Sequence, residues 1–567
     1  MIIPNCDIMK RTMILCASAL LATAAFVELS AQEYKRVEVT TTYNPEVSTA
    51  TKLDVPTDIA DVPFIEPEIG YKVTPETWQI ELENYRINPT KSSFWDFHRP
   101  KHFYAQLATG YPLTSNATLH YATENVRLGY FGCGIDHDGN FARKRSSVGE
   151  LRPMAESYDM QNRVYVGGGV FAGNQMFEAG LEYKYNIFNA YAVNVAEPDN
   201  LQFHDANLRL RYGDDFVNLR RLNYAVEAHG GIWGHTLPPV TDVYIPLSQF
   251  NAGGSVRLAR KFGDNRVELK GEYDMWQMLY GYYRDMRFGV TAGYARKFGV
   301  VGVDAALGYM YDKVAERAKP SHFFMPRAKV LFDTGIQAIA PYVELRTTVS
   351  QNSVAELYKI NPYLNFDTSG NRLMSMPNTR SYDLAVGFSG SAASSRLEYH
   401  FYVGANFMRD QVLWYVDTPG TFGVAADNNN RLFVGVELAY KPVGGLLIEG
   451  SFYAHKDNCK SAYVVSDARM KANLKVEYQI KRWKMYVLGD FTGRRQWSGV
   501  IAAEDETAPI AFVADPSIDL RAGVAFRAAK RVEIYADGYN LIGDDIFDYA
   551  YYYRNGAGFM VGAKIDF

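Results

Sequence analysis

The feature that most constrains this chain is a strict every-other-residue alternation of apolar and polar side chains. It recurs in blocks of about ten to sixteen residues from His102 to the final Phe567. In one block Val267, Leu269, Tyr273 and Met275 fall on one face of an extended chain, and Glu268, Lys270, Glu272 and Asp274 fall on the other. Two hundred residues later Met470, Ala472, Leu474, Val476, Tyr478 and Ile480 alternate with Lys471, Asn473, Lys475, Glu477 and Gln479. Leu432, Val434, Val436, Leu438 and Tyr440 repeat the rule around Glu437. A face with that density of acids and bases must meet water, and the opposite face must meet something apolar. Strands of a soluble sandwich are shorter, about five or six residues. These are long enough to cross a bilayer when tilted. The expected fold is therefore all-β, a transmembrane antiparallel β-barrel.

Connections supply a second, independent reading, because barrels of this kind have short turns on the periplasmic side and longer loops outside. Short turns near Ala172–Gln175, Lys261–Asn265, Lys297–Val300 and Ile480–Trp483 alternate with longer links near Asp136–Met160, Ser350–Met376, Thr418–Asn430 and Gly543–Asn555. With a tight turn around Tyr111–Ser115, the whole series gives twenty-one connections and hence twenty-two strands. The number is even, as single-chain barrels require, and it leaves both termini on the periplasmic side.

Composition agrees only once the alternation is known. A mean hydropathy of -0.21 looks soluble, but barrels carry their apolar face in alternation rather than in runs. The 41 Tyr, 32 Phe and 7 Trp suit interfacial girdles, and Trp276, Trp414, Trp483 and Trp497 near strand ends are expected to anchor there. A net charge of -4 argues against a nucleic-acid surface, which needs clustered Lys and Arg. Lys10 and Arg11, the apolar run Met13–Val27 and Ala31 before Gln32 read as a signal peptide over residues 1–31. Residues 32–100, punctuated by seven prolines, read as an irregular periplasmic or lumenal extension, and residues 101–567 as the barrel. After the signal no apolar run is long enough for a membrane helix. Cys133 and Cys459, far apart in chain order, are expected to stay unpaired.

Chemistry-bearing motifs are sparse. There is no H-E-x-x-H, no P-loop and no nucleophile elbow, so no enzyme and no cofactor is expected. His455 with Asp457, and His235, are read as solvated rim residues. Asp136, Asp138 and Asn140 open a predicted outer loop with closely spaced oxygens that hint at a calcium site, set against a plain polar turn. Glu268, Lys270, Glu272, Asp274, Glu437, Lys471, Lys475 and Glu477 are expected to face the lumen. Their mixed signs suit a bound polypeptide or plug better than a simple ion filter.

The strand count, the closing pattern Tyr539-Asn540-Leu541-Ile542-Gly543-Asp544 followed by Gly556-Ala557-Gly558-Phe559, and the start of the mature chain together resemble TonB-dependent outer-membrane receptors. The segment Val37-Glu38-Val39-Thr40-Thr41 is similar to the family's energising box, and the alternating last strand ending in Phe567 resembles the signal read by the barrel assembly machinery. The resemblance implies a barrel in the outer membrane, among its lipids, that binds or transports a solute and couples to a TonB-type protein. The family's folded plug is longer than residues 32–100 allow, so the lumen is expected to be filled by a reduced plug of those residues, by a partner protein or by inward-folded outer loops. Two alternatives stay open: an accessory barrel that holds a surface lipoprotein or plug partner, and a passive porin.

Overall fold

The computed structural model describes residues 102–567, apart from 126–127, 146–153, 174, 194–198, 237–245, 280–282, 316, 318, 367–372, 393–394 and 502–506. The expected signal peptide and the extension 32–100 lie outside the described residues. The first strands are β1 (Phe103–Tyr111), β2 (Thr114–Asn125), β3 (Gly129–Arg145), β4 (Met154–Ala172), β5 (Gln175–Asn189), β6 (Asn200–Asp214), β7 (Asn223–Thr236) and β8 (Pro246–Phe262). They continue as β9 (Asn265–Met278), β10 (Arg284–Phe298), β11 (Val301–Lys313), β12 (Ser321–Phe332) and β13 (Ala340–Ser350), then helix α1 (Val354–Ile360). After it come β14 (Thr379–Ala392), β15 (Leu397–Thr418), β16 (Thr421–Tyr440), β17 (Leu446–Cys459), β18 (Met470–Ile480), β19 (Trp483–Thr492), β20 (Arg495–Ser498) and β21 (Ile510–Ala514). The chain ends with β22 (Ser517–Ala529), β23 (Val532–Tyr539), β24 (Phe547–Tyr549), β25 (Tyr552–Tyr553) and β26 (Gly558–Asp566).

Each of the strands from β1 to β19 pairs antiparallel with the next, β19 pairs with β22, β22 with β23 and β23 with β26. The ring closes where β26 lies against β1, from Tyr104 opposite Asp566 to Tyr111 opposite Phe559. Setting aside the short hairpins β20–β21 and β24–β25, this is a closed barrel of twenty-two strands, as the alternation predicts. At about 4.8 Å between strands and a tilt of about 40°, such a ring is about 44 Å across.

The apolar rows face outward. Val267, Leu269 and Tyr273 on β9 are 43–44% exposed, and similar residues continue the belt on the other strands, among them Leu107, Leu119, Ile135, Val164, Leu181, Leu208, Ile232 and Val256. Soluble proteins rarely expose more than a few hundred Å² of contiguous apolar surface. A belt that encircles the whole ring has only a lipid bilayer as its solvent.

Strand length departs from the sequence reading on one side. A tilted strand needs about 9–11 residues to cross the membrane, yet β15 and β16 have 22 and 20 residues. The stretch Thr418–Asn430, expected to be a loop, is mostly strand, turning tightly through Gly420 with φ +90°. Asp136–Met160 is likewise not one loop: β3 runs on to Arg145 and β4 starts at Met154, so Asp136, Asp138 and Asn140 sit on a strand. Both departures have the same cause. Above the bilayer a strand faces water on its outer side too, so the alternation that marks it below disappears.

Candidate functional site

The inner wall is built by the residues that alternate with the lipid belt. All eight residues expected to face the lumen lie on the strand face opposite the exposed apolar row. Glu268 accepts two hydrogen bonds from Arg257, at 2.9 and 3.1 Å, and another from Arg266 at 2.7 Å. Lys270 bonds Glu272 at 2.7 Å, and Asp274 lies 2.8 Å from Arg287 and 3.1 Å from His229. Lys475 bridges Glu449 and Glu477, and Lys484 holds the second oxygen of Glu477. His400 sits between Tyr342 and Glu437, at 2.7 and 3.3 Å. Lys471 adds its positive field to the loop carboxylate of Asp467. Both signs are thus paired within and between strands, and the wall offers hydrogen-bonding groups without one dominant charge. A cavity of about 800 Å³ opens beside Tyr130, Glu178, Arg209, Arg211 and Glu227.

Arg431 is the most tightly held of these cations. Its guanidinium donates to Asp457 on β17 at 2.7 Å and to Asp467 in the β17–β18 connection at 2.9 Å, and Asn429 donates to the same Asp457 oxygen. His455 Nε2 is 3.1 Å from Asp457. His455 is buried, as is His235, which stacks on Phe203 with ring centroids 4.3 Å apart. Neither is the solvated rim residue expected from sequence, because strands that overshoot the bilayer carry their upper inward residues under other loops. On β3, Asp136 is taken by His120 at 2.7 Å and Arg163 at 3.8 Å, while Asn140 accepts from Asn555. Asp138 is exposed on the same strand. Among the described residues no group of three or more His, Cys, Asp or Glu could hold a metal ion. Cys133 and Cys459 are free thiols. Val37, Glu38, Val39, Thr40 and Thr41 lie outside the described residues. Phe567 packs against Phe103 and Arg531 at the periplasmic end, and its backbone exchanges two hydrogen bonds with Phe103.

Sequence reasoning left inward-folded outer loops open as one filler of the lumen but assigned no residue to the roof that covers the outer mouth. The connection from β13 to β14 is not an irregular loop: Ser353 caps α1 by accepting from the Glu356 amide, and Val354, Ala355, Leu357 and Tyr358 bury one face of the helix. The Ser-x-x-Glu signature was there to be read. Gln249, near the top of β8 and five strands round the ring, donates to Ser353 and accepts from the Ala355 amide. Leu357 and Tyr358 pack on Phe203, Trp233, Leu247 and Met278 from β6 to β9, and the same core includes Val424 from β16. A second core joins Tyr191 and Ala192 after β5, Val416 and Phe422 at the β15–β16 tip, Trp497 and Ala514 of the β20–β21 hairpin, and Ala550 and Tyr552 between β23 and β26.

The two cores are laced together. Tyr363 stacks on Tyr552 with centroids 3.5 Å apart; Tyr549 donates to the Ile360 carbonyl, Tyr552 to the Gly420 carbonyl, and the Tyr553 amide to the Tyr191 hydroxyl. Burial pushes the phenols of Tyr191, Tyr363 and Tyr552 well above their usual pKa, so they stay un-ionised. On a ring about 44 Å across, groups from the tops of β5–β9, β15–β16 and β23–β26 can share a core only by reaching in over the mouth. Two of the expected girdle tryptophans, Trp414 and Trp497, belong to this roof, and Trp276 points inward above Asp274; Trp483, 47% exposed at the periplasmic end, faces lipid.

Several solved structures share this barrel fold. The copper transporter OprC superposes with a TM-score of 0.60 at 12% identity, covering 83% of this chain and 82% of that one. The ferric enterobactin receptor PfeA of Pseudomonas aeruginosa gives 0.62 at 10%, covering 83% and 81%. The ferric-catecholate import receptor Fiu of E. coli K12 gives 0.58 at 10%, covering 83% and 82%. This is the fold of the TonB-dependent outer-membrane receptors. No protein-family model and no curated protein matches the sequence, so the likeness to the TonB-dependent receptors is one of fold. Those neighbours are transporters and import receptors rather than enzymes.

Proposed function

We propose that this protein is a receptor-type transport barrel of the outer membrane that binds a solute from outside and passes it through a polar lumen. The observation that carries this reading is the combination of a ring wide enough for a large solute with an inner wall of paired, mixed charges. Such a wall can exchange hydrogen bonds with a passing ligand, whereas an ion-selective pore shows one predominant sign. The packed roof speaks against a passive porin, because a porin works by leaving an aqueous channel. The proposal assigns Val37–Thr41 as the segment grasped by a TonB-type energy-coupling protein, after removal of residues 1–31. Neighbours named for copper and for ferric siderophores make these the first solutes to try.

Deletion of Val37–Thr41 tests this. Cells lacking the protein are complemented with wild type or the deletion, and uptake of copper and of ferric siderophores is measured at matched surface levels. Wild-type uptake that disappears with the deletion is expected. Full uptake by an assembled deletion variant refutes energised transport, and stoichiometric co-purification of a lipoprotein in that case supports the accessory barrel instead.

A further inference from the structure

The β15–β16 hairpin that carries the roof's centre is not continuous with the wall below it. The ladder breaks between Met408 and Gln411, and Asp410 at the break adopts φ +55°, a left-handed conformation that non-glycine residues hold only when surroundings enforce it. Here they do. Arg380 bonds the Asp410 carboxylate at 3.0 Å and Arg317 lies 3.6 Å away; Thr379 donates to the Asp410 carbonyl, and the Asp410 amide donates to Asn428. Below the break Phe407 faces lipid, 45% exposed; above it Leu413, Tyr415, Val416, Phe422 and Val424 are buried in or beside the two cores. A bulge bends a strand and increases its local twist, and this one turns an extramembrane ribbon over the lumen. The ribbon's tip is then latched by backbone to the β13–β14 connection: Leu364 and Phe422 form a parallel bridge, with Asn365 donating to the Phe422 carbonyl and Phe422 to the Tyr363 carbonyl.

We propose that this roof is a lid that seals the outer end of the lumen in the resting protein, with the Asp410 bulge as its hinge and the Leu364–Phe422 bridge as its latch. Side chains of the lid meet by apolar packing in the two cores, and Lys359 of α1 pairs with Asp205 of β6 at 3.0 Å. Opening requires the latch to part and the ribbon to swing outward about the residues that Arg380, Arg317 and Thr379 clamp. The inference takes the membrane orientation of the barrel from the reading above, but it does not depend on transport, and its test measures access alone.

The test places one cysteine on the inner wall, Arg209→Cys, in a chain with Cys133→Ala and Cys459→Ala. Arg209 is the reporter because its side chain is 69% exposed beside the cavity. Intact cells are treated with a maleimide–polyethylene glycol too large for general porins, with heat-modifiable mobility confirming that each barrel is folded. The sealed lid predicts slow labelling. Tyr552→Ala, which removes the stack on Tyr363 and the bond to Gly420, is expected to speed it about a hundredfold, equivalent to about 2.8 kcal/mol at 1.4 kcal/mol per decade. Leu364→Cys with Phe422→Cys, oxidised across the bridge, is expected to abolish the residual labelling and to release it on reduction, since paired residues of adjacent strands lie within disulfide reach. Rapid labelling of the reporter under an intact roof overturns the proposal. So does slow labelling that neither Tyr552→Ala nor the cross-link changes, because the barrier then lies elsewhere.

Discussion

Replacing Arg431 by Met leaves two carboxylates without their common cation, and the structure says how unequal the two losses are. Arg431 is 12% exposed and Asp457 10%, so their pair is shielded from solvent, whereas Asp467 is 49% exposed. Breaking a buried pair by removing one partner typically costs 3–5 kcal/mol, since the remaining charge has lost its compensation, while an exposed pair contributes about 0–1 kcal/mol. Asn429 still donates to Asp457 in the variant, which places the expected loss at the lower end, about 3 kcal/mol. Asp467→Asn alone should cost under about 1 kcal/mol. Adding Asp457→Asn to Arg431→Met removes the stranded charge and should recover most of the loss. Guanidinium unfolding in detergent micelles, read by heat-modifiable mobility, gives all four midpoints. If Arg431→Met stays within about 1 kcal/mol of wild type, or if the double variant recovers nothing, then the shielded pair is not what holds this part of the wall.

Other expectations follow from single sites. At the closing seam a Cβ on Gly562 would lie 2.6 Å from the Tyr535 ring and 2.7 Å from the Ala108 Cβ, so Gly562→Leu should sharply lower the fraction that reaches the heat-modifiable folded form; normal yield would show that the seam can yield. Brominated lipid should quench Trp483 in a single-tryptophan chain and leave Trp497 untouched, and equal quenching would contradict their assigned faces. Partial loss of hydration would by itself raise the half-exposed Asp467 carboxyl, but Arg431, with Lys471 and His455, outweighs it and holds the group below the usual carboxylate range. A depressed carboxyl stabilises above the unfolded value of about 3.9 and loses that contribution as pH falls toward the folded one. The unfolding midpoint should therefore drop below about pH 4 by more in wild type than in Asp467→Asn, and parallel curves would argue against the assignment.

How much of this was legible in the sequence depended on where each residue sits relative to the bilayer. Between lipid and water the two faces of a strand must differ, and rows such as Val267–Met275 wrote the strand count and the inner wall in plain alternation. Above the bilayer both faces are wet or both are covered. Asp427-Asn428-Asn429-Asn430 then looks like a loop although it continues a ladder, with Asn430 opposite Phe407 and Asn458. Trp276 shares parity with Glu268 and Asp274, so its inward position was recoverable; nearness to a strand end was the weaker guide. The roof was harder, because its cores draw single residues from connections hundreds of positions apart, such as Tyr191, Tyr363 and Tyr552. Only the Ser353–Glu356 cap announced that one of them would be ordered.

Because the first strand is bonded along its length to the last, no N-terminal portion of this chain can satisfy its own backbone in lipid. A chain lacking β26 would be a sheet with two raw edges, each a row of amides with nothing to bond in hydrocarbon. Closure must therefore wait until β26 has been made, and a truncation that removes β26 should be as damaging as one that removes β1.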